Sequence, residues 1–343
     1  MRGASLIDLL VGLAVAMASL VIVHQAFVAV DTVRRNAGIV ADAQGNAAFA
    51  LFTLASQIGN AGAGRASAAR WLDTCPVNAD VAATLRPIEV LIADGGAADR
   101  PDTLVIRQSF AHDIALPAAL ASAAPAGSHL RVESPDGFAA GDRVAAITRT
   151  GDCIVTQVQA ASLPVAGIVD IVAADVAIDL PITTVLLNLG AAGRASALRF
   201  DVAAQTLRST DLANGDAPVP LASNVVNVKF QYGIDSDGDG ALDTWVRAEA
   251  GGPWAQGALL AAPLATLERI KAVRIGIIVR GERSDRRLAR DFHWVLFDCA
   301  SDDKAACPGR LEGSITGAAT GSYRYRTLET VVPLRNVAWN RGA

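Results

Sequence analysis

MRGASLIDLLVGLAVAMASLVIV, residues 1–23, sets one carboxylate, Asp8, at the mouth of a long apolar run. From Leu9 to Val23 every residue is apolar or small, and after His24 and Gln25 apolar character resumes to Val30. About 20 residues rising ~1.5 Å each cross a ~30 Å hydrocarbon core, so residues 6–30 are expected to form a transmembrane helix. A carboxylate at that position is expensive, on the order of 2.5–3.5 kcal/mol on insertion scales. Compensation is expected from outside the chain. Arg2, the basic residue ahead of the run, favours a cytoplasmic N-terminus, while Arg34 and Arg35 on the far side oppose that orientation.

Beyond Val30 the apolar positions keep helical spacing. Val33, Ala37, Val40, Ala47, Leu51, Leu54 and Ile58 recur at three-, four- and seven-residue steps. No proline precedes Pro76, so one helix is expected over residues 4–60, ending near Gly59. GNAGAGRASAAR, residues 59–70, breaks the pattern and reads as a hinge. Its Gly62-x-Gly64 follows a helix rather than a strand, against a nucleotide loop.

From about residue 100 short β-like runs dominate, several of them alternating with period two and separated by Gly, Pro, Asp or Asn. They include TLVIRQSF (103–110), DRVAAITRT (142–150), CIVTQVQA (153–160), NVKFQYGI (227–234), KAVRIGIIVRG (271–281) and ETVVPLRNVA (329–338). PLATLERI (263–270) reads as a short helix. The fold class is therefore α+β: a long N-terminal helix, its first half in the membrane, carrying a large antiparallel β-rich head over 61–343 with room for two lobes.

Composition narrows the function. Thirty basic against 34 acidic residues leave a net charge of −4, and aromatics are 5% of the chain. No nucleic-acid partner is expected from that balance, since such binders carry a basic face and stacking surfaces. RGERSDRRLAR (280–290) gathers five arginines, but Glu282 and Asp285 dilute its field. His24, His112, His129 and His293 are dispersed, and no H-E-x-x-H, G-x-S-x-G or P-loop pattern occurs. An enzyme is not expected, and His293 reads as a strand residue.

The four cysteines form no C-x-x-C and no zinc spacing. Two disulfides are expected in a chain with an export-like start. Cys299 with Cys307 would close a short polar loop, and Cys75 with Cys153 follows by elimination. Four buried free thiols are the alternative.

DSDGDGALD, residues 235–243, carries the strongest chemical signal in the head. Asp235, Asp237 and Asp239 alternate, Gly240 permits a sharp turn and Asp243 follows. This is the first half of an EF-hand-type loop of hard oxygen ligands, so Ca²⁺ is the expected cofactor. Val246 stands where such a loop has its bidentate Glu; Asp243 and the Ala241 carbonyl are expected to close the shell instead. The alternative is a plain Asp/Gly hairpin turn before TWVRA.

RGASLIDLL resembles the prepilin signature of type IV pilins and type II secretion pseudopilins. The resemblance implies cleavage after Gly3 by a prepilin peptidase, N-methylation of Ala4, and pairing of Asp8 with the N-terminal amine of a neighbouring subunit. That family usually carries Phe where Ala4 stands and Glu where Asp8 stands. A secretory signal cut near AVAMA (14–18) competes, but apolar residues continue past that site. Along the head, PDTLVIRQSF, FAAGDRVAAITRTGDCIVTQVQ, VVNVKFQYGIDSDGDGALDTW, IKAVRIGIIVRGE and VVPLRNVAWN resemble, in order, segments of the PilW family of minor pilins. The resemblance implies a non-enzymatic subunit of a complex that primes pilus assembly at the tip. It implies a place in the inner membrane with a periplasmic head, then in the surface pilus. Implied partners are other minor pilins, the major pilin and a tip adhesin. The alternatives are a minor pseudopilin of type II secretion and a membrane-anchored calcium-binding adhesin.

Overall fold

Leu6–Gly59 form one uninterrupted helix, α1, of 54 residues, about 80 Å long at the α-helical rise. The computed structural model describes residues 6–76, 85–108, 117–127, 129–133, 138–162, 165–174, 176–191, 197–212, 215–284, 291–301, 303–316 and 322–339. Leu10–Asp31 is long and apolar enough to cross a membrane, and none of it is buried by the rest of the chain. Ser19 turns its hydroxyl back onto Val15 O at 2.8 Å, which hides that polar group on an otherwise apolar surface. Further along, Ala43, Ala47, Ala50, Leu51, Leu54 and Ile58 form a buried stripe against the head. Ala37, expected on that stripe, is exposed; the head begins to cover the helix only at Ala43.

The glycine-rich segment after α1 is pinned rather than hinged. Gly62, at φ +76°, donates its N–H to Arg107 O and accepts the N–H groups of Arg65 and Ala66. Arg65 is buried, 3.2 Å from Glu89 Oε2, and also donates to the carbonyls of Leu85 and Arg86. A short helix, α2 (Ala69–Leu72), follows.

Among the described residues, the β-rich part has four antiparallel units. β1 (Val90–Ala93) and β2 (Thr103–Arg107) open a five-stranded sheet completed by β9 (Ala197–Ala203), β10 (Thr206–Asp211) and β11 (Val219–Ser223), in spatial order β1-β2-β9-β10-β11. Between β2 and β9, β3 (Ala118–Leu120), β4 (Leu130–Glu133), β5 (Asp142–Ile147), β6 (Cys153–Ala161), β7 (Ile168–Ala173) and β8 (Val185–Ala191) close into a barrel ordered β3-β4-β7-β6-β5-β8. β12 (Val225–Ile234), β13 (Thr244–Val246), β14 (Ile270–Arg280) and β17 (Tyr325–Pro333) form a second sheet, β13-β12-β14-β17. β15 (Phe292–Leu296) and β16 (Leu311–Ile315) make a ribbon. Three further short helices are α3 (Gln256–Ala261), α4 (Leu264–Leu267) and α5 (Arg335–Trp339).

Period-two alternation assigns each strand its two environments. In the barrel, Val144, Ala146 and Leu186 point inward with Leu130, Val132, Val158 and Ile171. Their neighbours Ala145, Ile147, Leu187 and Leu189 point outward onto Ala68, Leu72 and Cys75. The barrel thus leans on α2 through one outer face. β14 is apolar nearly throughout because both of its faces are covered. Val273, Ile275, Ile277 and Val279 join the main core with α1, while Ile278 lies under Trp294 and Leu296 of the ribbon and Phe297 just after it.

Two sequence expectations change. PLATLERI is helical only over Leu264–Leu267, and its last residue already starts β14. In ETVVPLRNVA the strand stops at Pro333 and Arg335–Trp339 turns into α5. Proline can lie at the edge of a ladder but cannot donate to it.

Candidate functional site

The acidic loop connects β12 to β13, so it is a hairpin loop. Tyr232, Gly233 and Ile234 pair with Val246, Trp245 and Thr244. Asp235 is buried at the strand end, its N–H bonded to Arg269 O. Its Oδ1 accepts Gly238 N–H at 2.6 Å and its Oδ2 accepts Gly240 N–H at 2.9 Å. Those two glycines lie at φ +86° and +96°, a region other residues enter with strain. Lys271 Nζ adds an ion pair 3.0 Å from Oδ2. Burial alone raises the Asp235 pKa, but Lys271 and the two glycine N–H groups outweigh it and hold the carboxyl down at about 2.

Asp237 and Asp239 stand exposed beside it, and one carboxylate oxygen from each of Asp235, Asp237 and Asp239 lies within 4.8 Å of the others. A Ca²⁺ with bonds of about 2.3–2.6 Å bridges such a span, so these three carboxylates fit a hard cation. Asp243 is not in that group. Its Oδ2 accepts both the N–H of Ser236, at 2.6 Å, and its hydroxyl, at 2.7 Å, and these bonds lower its pKa. Ala241 enters through its N–H, bonded to Asp239 Oδ1 at 2.7 Å. Lys271 was not anticipated; only its place one residue into β14, opposite the loop, brings it to Asp235.

Asp8 lies in the first turn of α1; Gly3 and Ala4 lie outside the described residues, as does the 285–290 part of the arginine run. Arg280, at the start of that run, stacks its guanidinium 4.2 Å from the Tyr323 ring. His293 is a β15 residue facing Ser314, with Nδ1 2.7 Å from its hydroxyl.

Cys75 is bonded to Cys153 and Cys299 to Cys307, with Cα atoms 5.5 and 5.6 Å apart. The first staples the start of β6 to the segment after α2. The second closes a loop that docks on the second sheet. Arg274 Nη2 donates to Pro308 O at 2.6 Å, and Gln231 Nε2 donates to Gly309 O at 2.6 Å. The Arg274 guanidinium lies 4.7 Å from the Trp245 ring and 4.3 Å from that of Phe297. Burial between them pulls its pKa down to about 10, against the field of Glu329. Nothing in the local sequence marks this arginine, because its partners Gln231, Trp245, Phe297, Pro308 and Glu329 come from five separate segments.

Residues 193–336 match the family model described as Type IV Pilus-assembly protein W. The matched stretch runs from just before β9 into α5 and covers the acidic loop and the Cys299–Cys307 loop. It is less than half of the chain and leaves α1 and the barrel outside. Of the resembling segments, PDTLVIRQSF and FAAGDRVAAITRTGDCIVTQVQ therefore lie beyond it. No curated protein and no solved structure matches the chain.

Proposed function

We propose that this PilW-type pilus-assembly protein is a minor pilin, a non-catalytic subunit of the complex that primes type IV pilus assembly at the tip. The family match carries the reading, and the form of α1 supports it. An apolar helical stretch such as Leu10–Asp31, none of it buried by the rest of the chain, requires lipid or other subunits around it. Phe49 and Phe52, 54% and 73% exposed, continue that apolar surface beyond the membrane-length stretch, alongside the head. In this reading the precursor is cut between Gly3 and Ala4, Ala4 is methylated, and Asp8 pairs with the amine of a neighbouring pilin. The head is periplasmic until assembly carries it to the surface. Other minor pilins, the major pilin and a tip adhesin are its partners, and Ca²⁺ occupies the Asp235–Asp239 loop.

Mass spectrometry of the mature N-terminus tests the reading. A chain beginning with methylated Ala4 supports it. A chain beginning near Ser19 means ordinary signal peptidase and removes the pilin assignment.

A further inference from the structure

We propose that the outer edge of β17 receives an extended strand from another pilus subunit, which joins the β13-β12-β14-β17 sheet through backbone hydrogen bonds. The proposal rests on the pilus-assembly reading above.

The direction in which β17 aims its backbone follows from its register. Leu334 N–H donates to Lys271 O, and Gly281 N–H donates to Arg324 O. Both pairs belong to the same unbroken register that aligns Ala272 with Pro333 and Arg280 with Tyr325. In an antiparallel ladder hydrogen-bonded pairs alternate with non-bonded ones. The even-numbered residues of β17 therefore bond to β14, and Thr327, Glu329, Val331 and Pro333 aim their backbone groups outward. Pro333, which has no N–H, occupies an outward slot, as proline in a sheet should. Among the described residues no hydrogen bond reaches the outward N–H or C=O of Thr327, Glu329 or Val331. Three donors and three acceptors are thus presented along a five-residue stretch of about 17 Å.

The other long edges of the two open sheets are closed by the chain itself. On β1 the outward groups meet the buried Tyr232 hydroxyl, which accepts Ile92 N–H at 2.6 Å and donates to Val90 O at 3.5 Å. On β12, before β13 takes over, the loop 94–102 covers the edge. Asp102 Oδ2 accepts Phe230 N–H at 3.0 Å, Asp102 N–H donates to Val228 O at 2.9 Å, and Asn227 Nδ2 donates to Ala98 O at 2.8 Å. β11 carries Pro220 within it and Pro218 just before it. Proteins guard edges by such means because an open edge templates strand addition. Among the described residues, the Thr327–Val331 stretch of β17 carries no such guard, and Pro333 closes its far end.

The occupant follows from what the edge offers and where it lies. A row of alternating N–H and C=O groups is satisfied along its length only by another extended backbone. The inward side chains Leu328 and Val332 pack with α1 in the main core, so the edge runs beside the helix that carries this subunit into an assembly. A neighbour brought in along α1 arrives at β17. Thr327 and Val331 beside the edge are β-branched, the residue type that packs well against a cross-strand partner.

The test uses the full-length chain in piliated cells of its source. A benzophenone photo-cross-linker is placed at Val331, with Val219 on the guarded β11 edge as control. Expected is a cross-link from Val331, absent from Val219, to a peptide of an identified pilus subunit. Thr327→Pro removes an outward donor while leaving the β14 ladder intact, and should cut both cross-link yield and pilus number by roughly tenfold; Thr327→Ala should change neither. In detergent, full-length Thr327→Pro should melt close to wild type, whereas Leu328→Pro, which removes an inward donor, should melt well below it. The Val331 cross-link is read in an otherwise unaltered chain and stands whether or not Thr327→Pro folds. A cross-link only to lipid or to a second copy of this chain, or none above control, overturns the proposal. Full piliation with a folded Thr327→Pro protein does the same while leaving the pilus reading intact. A deletion strain that still makes normal pili overturns the pilus reading itself.

Discussion

Asp102 and Lys229 form a buried ion pair, Oδ1 to Nζ 2.8 Å, across 127 residues of sequence. Neither side chain is more than a few per cent exposed. The carboxylate also accepts the N–H groups of Gly95 and Phe230, at 3.0 Å each, and the ammonium donates to Ala97 O at 2.9 Å. Every polar contact of the Asp102 carboxylate comes from a donor. Asp102→Ala leaves a buried ammonium without its counter-charge and two N–H groups without acceptors, and should cost about 3–5 kcal/mol. Lys229→Met should cost less, because Asp102 keeps its two backbone donors and the methionine fills similar volume. Chemical unfolding of the full-length protein in detergent measures both. Equal losses would show that the pair, rather than the docking of the 94–102 loop, dominates.

The two disulfides should differ in weight. Cys75–Cys153 spans 78 residues and Cys299–Cys307 spans 8. Loop-closure entropy gives about 4.5 kcal/mol for the first and roughly 2–3 kcal/mol for the second. Replacing each pair by alanines and comparing unfolding midpoints checks the ranking. The reverse order would mean that the docking of this loop to Arg274 and Gln231 depends on the Cys299–Cys307 bond.

Calcium should stabilise the protein if Asp235, Asp237 and Asp239 hold it. Metal that binds only the folded state adds about 2.7 kcal/mol at a hundredfold excess over Kd. Melting with calcium and with chelator should therefore differ, and Asp237→Ala should abolish the difference. Lys271→Met should enlarge it, since Lys271 already pairs with the Asp235 carboxylate. Superimposable melts at millimolar calcium would leave the loop a plain hairpin turn.

On the pilin reading proposed above, Asp8→Ala should leave the head folded and the N-terminal apolar segment more apolar, yet impair incorporation beside pilins. Pilus counts and the amount of this subunit in sheared pili report the effect. Wild-type levels in both would remove the intersubunit role.

Some of this architecture is legible in the chain and some is not, for physical reasons. α1 is readable because its signal is local: spacing, length and freedom from proline all lie in one stretch. β12 and β14 are readable because one is a long alternating run and the other a long apolar one. The acidic loop is readable to the level of Asp235, Asp237 and Asp239, which share a turn. Asp243 is not, because its choice of Ser236 over the cluster depends on the turn's detailed path. Closure of the barrel depends on pairings such as Ala118 with Leu186, and no local pattern encodes those. The Tyr232 hydroxyl reaches Ile92 across 140 residues, so a buried tyrosine in the sequence says nothing about which edge it will close. The hinge reading of residues 59–70 fails for the same reason, since Arg107, Glu89 and Asn336, which pin that segment, all lie far along the chain.

The staple from Cys75 to Cys153 has a mechanical consequence. A pull applied along α1 and resisted at the barrel has two routes through the molecule. One runs from Gly59 through β1 and β2 and would shear strands apart in turn. The other runs along the short stretch from Gly59 to Cys75 and across a covalent bond into β6. The second is shorter and cannot lengthen by unzipping, so it takes the tension first. β1 and β2, which lie between helix and barrel in the sequence, are thereby shielded from the force that passes between them.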